Sequence, residues 1–283
     1  MPQRDSTARP GRAPGSRPTT GTLFAALYGE LAPHPWRGHD SEHDAYQLFH
    51  QYALAMGWLD DGDGGGGAPS APGLWGMNDA GWDHPLGLHD SGLVSWFQVE
   101  AGAVAPDRPL PVRPFLRCSE VATERAGELG LSAVQLLLPV QGLDASVRPA
   151  YARVPSMRTV HWFAEPDPRA RTAVRVGVDS GQDPSVPAVG QQLADELGRL
   201  EQAVFTCTGH HLAEGDHVGS IPPPFGDALW NGPSGRALVL EGELCEWSTD
   251  AIGWLAEAIA DCTAHLGART PLLLTITRSD ADA

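Results

Sequence analysis

Between His210 and His217 the chain places three imidazoles and two carboxylates: His210, His211, Glu214, Asp216 and His217. Groups this dense can bind a divalent metal or supply a general acid and a general base. These five are the candidate catalytic residues. Their spacing matches no known ligand motif, and two adjacent histidines on a strand point to opposite sides, so only one of His210 and His211 can join a given site. Two further sets are weaker. His34, His39, His43 and His50 run with Asp40, Glu42 and Asp44 through what reads as a charged helix start; His39 and His43 share a helical face, but the carboxylate order departs from H-E-x-x-H. Asp83, His84, His89 and Asp90 lie in a Pro/Gly-rich stretch that reads as a surface loop.

Aromatic residues outside regular patterns supply the binding candidates. The segment from Gly215 to Gly235 is long for a connection in a compact domain, and such loops commonly carry function. It holds Phe225 and Trp230 beside the stiff run Pro222 to Pro224, which presents aromatics at low entropic cost. Trp75 and Trp82 occupy a similar irregular stretch. These four aromatics are the expected contacts for a protein partner or an apolar small molecule.

Several chemistries are excluded. All 19 basic residues are arginine, so a Schiff-base lysine, a pyridoxal attachment point and a Walker A lysine are all ruled out. No G-x-S-x-G, strand-linked G-x-G-x-x-G or H-E-x-x-H occurs. No cofactor and no metal site is expected. Cys118, Cys207, Cys245 and Cys262 form no C-x-x-C pair and read as reduced, buried thiols. The net charge is −16. Arg4, Arg9, Arg12 and Arg17 against Asp5 give the first twenty residues +3, so the remainder carries −19. That balance argues against nucleic acid or an anionic membrane as partner. With no apolar span and no signal-peptide pattern, the expected location is the cytoplasm.

The elements that position these groups are clearest at the C-terminal end. Arg236 to Glu243 reads as a buried strand. A helix follows, capped at Ser248 or Thr249, with a stripe of Ile252, Leu255, Ile259, Cys262 and Leu266 and with Asp250, Glu257 and Asp261 directed elsewhere. Gly267 suits its C-terminal cap, and Leu272 to Ile276 is the return strand. Upstream, strands are expected at Leu93 to Glu100, Ala133 to Val140, Met157 to Phe163, Ala173 to Val178 and Ala203 to Thr208. Helices are expected at Thr22 to Leu31, Ser41 to Leu59, Ser119 to Leu129 and Pro187 to Leu200.

The resulting organisation is a solvated tail over 1–20, an N-terminal helical segment over 21–59, a flexible and irregular linker over 60–91, a first α+β unit over 92–165 and a second over 166–283. The second reads β-α-β-β-α-β, the order of a ferredoxin-like sandwich, with an incomplete copy before it. One continuous mixed sheet with helices on one face satisfies the same periodicities. The expected fold class is therefore α+β with ferredoxin-like βαβ units. The expected function is a non-enzymatic binding or assembly protein using the 209–235 loop and the sheet face or edge. The alternative is a metal-assisted hydrolase or acid–base enzyme built on 210–217.

Overall fold

The computed structural model describes residues 21–35, 44–57, 77–82, 92–101, 104, 107–149, 168–200, 202–214, 221–226, 229–232 and 236–279. Among them are eight strands and four α-helices in the order β1 (Gly21–Pro33), α1 (Ala45–Ala55), β2 (Met77–Gly81), β3 (Leu93–Ala101), α2 (Val112–Glu124), β4 (Gly127–Leu138), β5 (Thr172–Asp179), α3 (Ser185–Arg199), β6 (Phe205–Glu214), β7 (Arg236–Leu244), α4 (Thr249–His265) and β8 (Leu272–Arg278). The protein is a mixed α+β fold built on one continuous sheet. Its strand order is β2-β3-β1-β4-β8-β5-β7-β6, and every neighbouring pair is antiparallel. The single-sheet alternative therefore holds, with the correction that the sheet is antiparallel throughout rather than mixed.

The two halves repeat one permutation. The first six elements give the order β2-β3-β1-β4, and the last six, read from the other edge, give β6-β7-β5-β8. They join where β4 pairs with β8, from Ala133 opposite Thr277 to Leu138 opposite Leu272.

β1 overturns the expected helix at Thr22 to Leu31. The i, i+4 spacing of Leu23, Leu27 and Leu31 suggested a helical stripe, but the run from Leu23 to Tyr28 is apolar at every position. That is the pattern of a strand covered on both faces. Leu23, Ala25 and Leu27 face the helix layer, and Phe24, Ala26 and Tyr28 face the other side. β2 was likewise missed within the stretch read as irregular, because Met77–Gly81 (MNDAG) carries turn residues rather than β-formers.

The helix expected from Ser119 to Leu129 runs instead over Val112–Glu124, and Gly127 already begins β4. Ser119 is mid-helix, its hydroxyl donating to the Phe115 carbonyl at 2.9 Å. The true start has no side-chain cap of its own at Pro111. Glu257 of α4 supplies one across the helix layer, accepting the Arg113 N–H at 3.0 Å. This corrects the expectation that Glu257 and Asp261 point away from the core. Both are buried, Asp261 accepting from Arg148 at 3.0 Å. Packed against both α2 and α3, α4 is buried on all sides, so its apparent polar face is an internal one. Its ends follow expectation: the Ser248 hydroxyl accepts from the Ala251 N–H, and Gly267 has φ +100°.

The remaining strands at 93–100, 133–140, 173–178, 203–208 and 236–243, and the helix at 187–200, correspond to β3, β4, β5, β6, β7 and α3 with shifted ends. α1 covers the described part of the helix expected at 41–59, capped by Asp44. The tail, the 60–72 linker and the strand expected at Met157 to Phe163 lie outside the described residues.

The helices occupy one sheet face, where Phe49 stacks on Phe97 with centroids 5.0 Å apart and meets Phe115 edge-on at 5.7 Å. The opposite face carries a smaller core of Phe24, Tyr28, Ala133, Leu137 and Leu273, on which Phe225 and Trp230 pack. No described helix is long and apolar enough to cross a membrane.

A bulge at Tyr28/Gly29 interrupts the β1–β4 ladder. Gly29 has φ +149°, and a Cβ there would stand 2.1 Å from the Gly130 carbonyl oxygen. Gly29→Ala is expected to cost at least about 1–3 kcal/mol in backbone strain alone, read as a lower denaturation midpoint; an unchanged midpoint would show that the bulge adapts freely.

Candidate functional site

A cleft of about 850 Å³ opens at the junction of the two halves. It arises from a mismatch in strand length. β4 pairs with β1 along Gly127 to Leu137, but with β8 only from Ala133 onward. On the β8 side, residues Gly127 to Ser132 therefore have no strand partner among the described residues. Glu30, next to the bulge at Gly29, lines the same opening, and Gly29, Gly92 and Gly130 expose backbone in its wall.

The second half closes the inner end. The Trp247 indole N–H donates to the Leu131 carbonyl at 2.9 Å, satisfying one acceptor of the overhanging strand. The Arg278 guanidinium, at the end of β8, lies 5.5 Å from the centre of the Trp247 ring.

α2 contributes Glu120 and Glu124, one helical turn apart. Glu120 is held by Arg117 at 2.5 Å and by the Thr249 hydroxyl at 2.9 Å. The Glu124 carboxyl is pushed above its ordinary value, first by burial and then by the charge of Glu120, with Arg117 opposing. A cation beside the two carboxylates would offset the repulsion between them.

The sheet face and the loop before β7 form the remaining wall. Tyr28 donates its hydroxyl to Gln135 Oε1 at 2.7 Å, and burial raises its pKa. Gln135 Nε2 donates to the Ile221 carbonyl at 2.9 Å and to the Thr275 hydroxyl at 3.2 Å. Gln135 is fully buried, so this network pins the loop to the sheet through one side chain whose polar atoms are all used. Ile221, Tyr28, Ala133 and Thr277 thereby line the cleft.

The residues singled out from sequence are dispersed. His210 and His211 lie on β6 opposite Leu240 and Val239, and both border a second cavity of about 290 Å³ beside α3. His211 Nδ1 is 4.0 Å from Glu241, and Glu214 pairs with Arg236 at 2.6 Å. β6 is the sheet edge, three strands from β8, so none of these side chains reaches the cleft. Asp216 and His217 lie outside the described residues, as do Trp75, His39, His43, His84 and His89. Among the described residues no group of three or more His, Cys, Asp or Glu is gathered that could hold a metal.

Phe225 and Trp230 are buried, Trp230 to 2 % exposure, and pack edge-on against one another with Phe225 meeting Phe24 in the same way. They anchor the loop, and among the described residues its contribution to the cleft is Ile221. Trp82 is half-buried against the helix-side core. The four cysteines are free, and burial raises the thiols of Cys207, Cys245 and Cys262, the last two to about 11 and about 12, so all three stay protonated near neutrality.

The cleft residues that sequence reasoning missed left faint signals: a Gly-Glu pair interrupting the apolar run of β1, a Glu-x-x-x-Glu spacing at 120 and 124, and a tryptophan immediately before the α4 cap. The chain matches no family model, no curated protein and no solved structure.

Proposed function

We propose that this is a non-enzymatic binding protein, that each half is a ferredoxin-like βαββαβ unit, and that the ligand sits in the cleft where the units join. The repeated permutation of six elements supports the first structural part. The binding reading is carried by one observation: the longest loop between the C-terminal strands is fastened by Gln135 so that it walls a cleft with unpaired backbone, carboxylates and an aromatic ring. The groups present are carboxylates, hydroxyls, a strand edge, an indole and the Arg278 guanidinium, with no histidine or thiol among the described lining, and they suit holding more than bond-breaking. The Glu241 carboxylate stands 4.0 Å from His211 Nδ1, beyond hydrogen-bond reach, which also favours binding over acid–base work at 210–217.

The test is a thermal-shift comparison of the wild-type chain with Ser132→Trp against a panel of small molecules and short peptides. Ser132 is exposed at the cleft, so an indole there fills it without disturbing the core. Stabilisation by at least one probe in the wild type and its loss in the variant is the expected result. Equal responses in both proteins, or none in either, would refute the assignment.

A further inference from the structure

We infer that the cleft takes an extended segment of a protein partner, added as a strand to the overhang of β4, with basic residues alternating with apolar ones. The inference rests on the binding reading and adds the partner's chemistry.

Three observations converge. First, the overhang Gly127 to Ser132 is already in strand conformation and paired with β1, yet its other edge meets no strand among the described residues. A preformed edge is a template for an incoming strand, since main-chain hydrogen bonds form without reorganising the host. Trp247 occupies the Leu131 carbonyl and marks where added pairing must stop.

Second, the two walls differ, and a strand presents alternate side chains to opposite sides. The α2 side offers Glu120 and Glu124 above the side chains of Leu129 and Leu131, along which an arginine stem can lie; the loop side offers Ile221 with the ring of Tyr28. An added strand therefore meets carboxylates at one set of positions and apolar surface at the other, which selects basic residues alternating with apolar ones.

Third, the charge fits one class of occupant. The chain carries −16 overall, Glu30 adds a further acid at the mouth, and Arg278, a cleft cation, is stacked on Trp247. Glu120 is already paired with Arg117, so an acidic segment would meet repulsion chiefly from Glu124 and Glu30, whereas a basic one is drawn in by the wider field.

The probes are three fluorescein-labelled hexapeptides titrated into the full chain by fluorescence anisotropy: Arg and Val in alternation, the same sequence N-methylated at every backbone amide, and Glu and Val in alternation. The Arg/Val peptide is expected to bind. The N-methylated form, equal in charge but unable to pair as a strand, is expected to bind at least about tenfold more weakly. Glu124→Gln is expected to weaken the Arg/Val peptide several-fold, with circular dichroism unchanged. Equal binding of the N-methylated peptide would overturn the inference, since charge attraction alone would then explain the affinity. Absence of Arg/Val binding would overturn it too. If small molecules still stabilise the wild type and not Ser132→Trp, the binding reading survives while the strand-addition inference fails; if neither probe class responds, both fail.

Discussion

Gln135→Ala is expected to destabilise the fold by about 2–4 kcal/mol and to release the loop that carries Ile221, Phe225 and Trp230. The substitution removes one acceptor and one double donor at a fully buried position. The Tyr28 hydroxyl and the Ile221 carbonyl each lose a partner, and a buried polar group left unsatisfied costs about 1–3 kcal/mol. Thr275→Val supplies the control. It removes only the longer contact, at 3.2 Å, and leaves the Tyr28–Gln135–Ile221 chain intact, so its cost is expected to stay below about 1 kcal/mol. Urea denaturation followed by tryptophan emission measures both. A red shift of native-state emission in Gln135→Ala, from exposure of Trp230, is the structural signature. Equal small losses in the two variants would mean that aromatic packing alone holds the loop.

The second large effect is on pH dependence. Glu257 sits in the middle of α4, 3 % exposed, and burial raises its pKa to about 8; the Arg113 amide and the Arg113 charge oppose the rise, and Asp261 adds to it. A folded-state value above the unfolded one, near 4.5, means that the native protein binds the proton more tightly. The corresponding stability is fully present below about pH 4.5 and is lost as pH rises through about 8, with a total on the order of a few kcal/mol. Glu257→Gln keeps an acceptor for the Arg113 N–H and removes the titration. Melting temperature against pH is therefore expected to fall between pH 5 and 8 in the wild type by more than in Glu257→Gln. Parallel profiles would contradict the assignment. Glu257→Ala, which leaves the first turn of α2 without its cap, is expected to be destabilised across the whole range, by about 1–3 kcal/mol at low pH.

The C-terminal elements were legible because their local signals agree. α4 has a serine cap, a three–four apolar stripe and a glycine at its end, and apolar strands flank it on both sides. β1 was not legible because an all-apolar stretch satisfies helical and strand periods alike, and only its place between β3 and β4 decides. α2 was displaced because its cap comes from Glu257, 144 residues away, a contact with no local trace.

The candidate site shows the same division. The loop at 215–235 stands out in sequence, and its aromatics read as either anchors or contacts; burial of Phe225 and Trp230 makes them anchors. The cleft itself depends on the difference in length between two strands from opposite halves, on a bulge at Gly29 and on carboxylates contributed by α2. None of these is a motif. Trp247 and Arg278 join them only through the β4–β8 pairing, whose partners lie more than a hundred residues apart.

The cleft is tested most directly through Trp247, whose indole N–H bonds the overhanging strand inside it. Among nine tryptophans, its indole signal can be assigned by Trp247→Phe in a 15N-labelled full chain. On titration with the probe that most raises the melting temperature, the Trp247 indole resonance is expected to shift saturably, while Trp254, buried in α4, stays in place. Saturable binding with Trp247 unmoved would place the ligand elsewhere and contradict the assignment of the cleft.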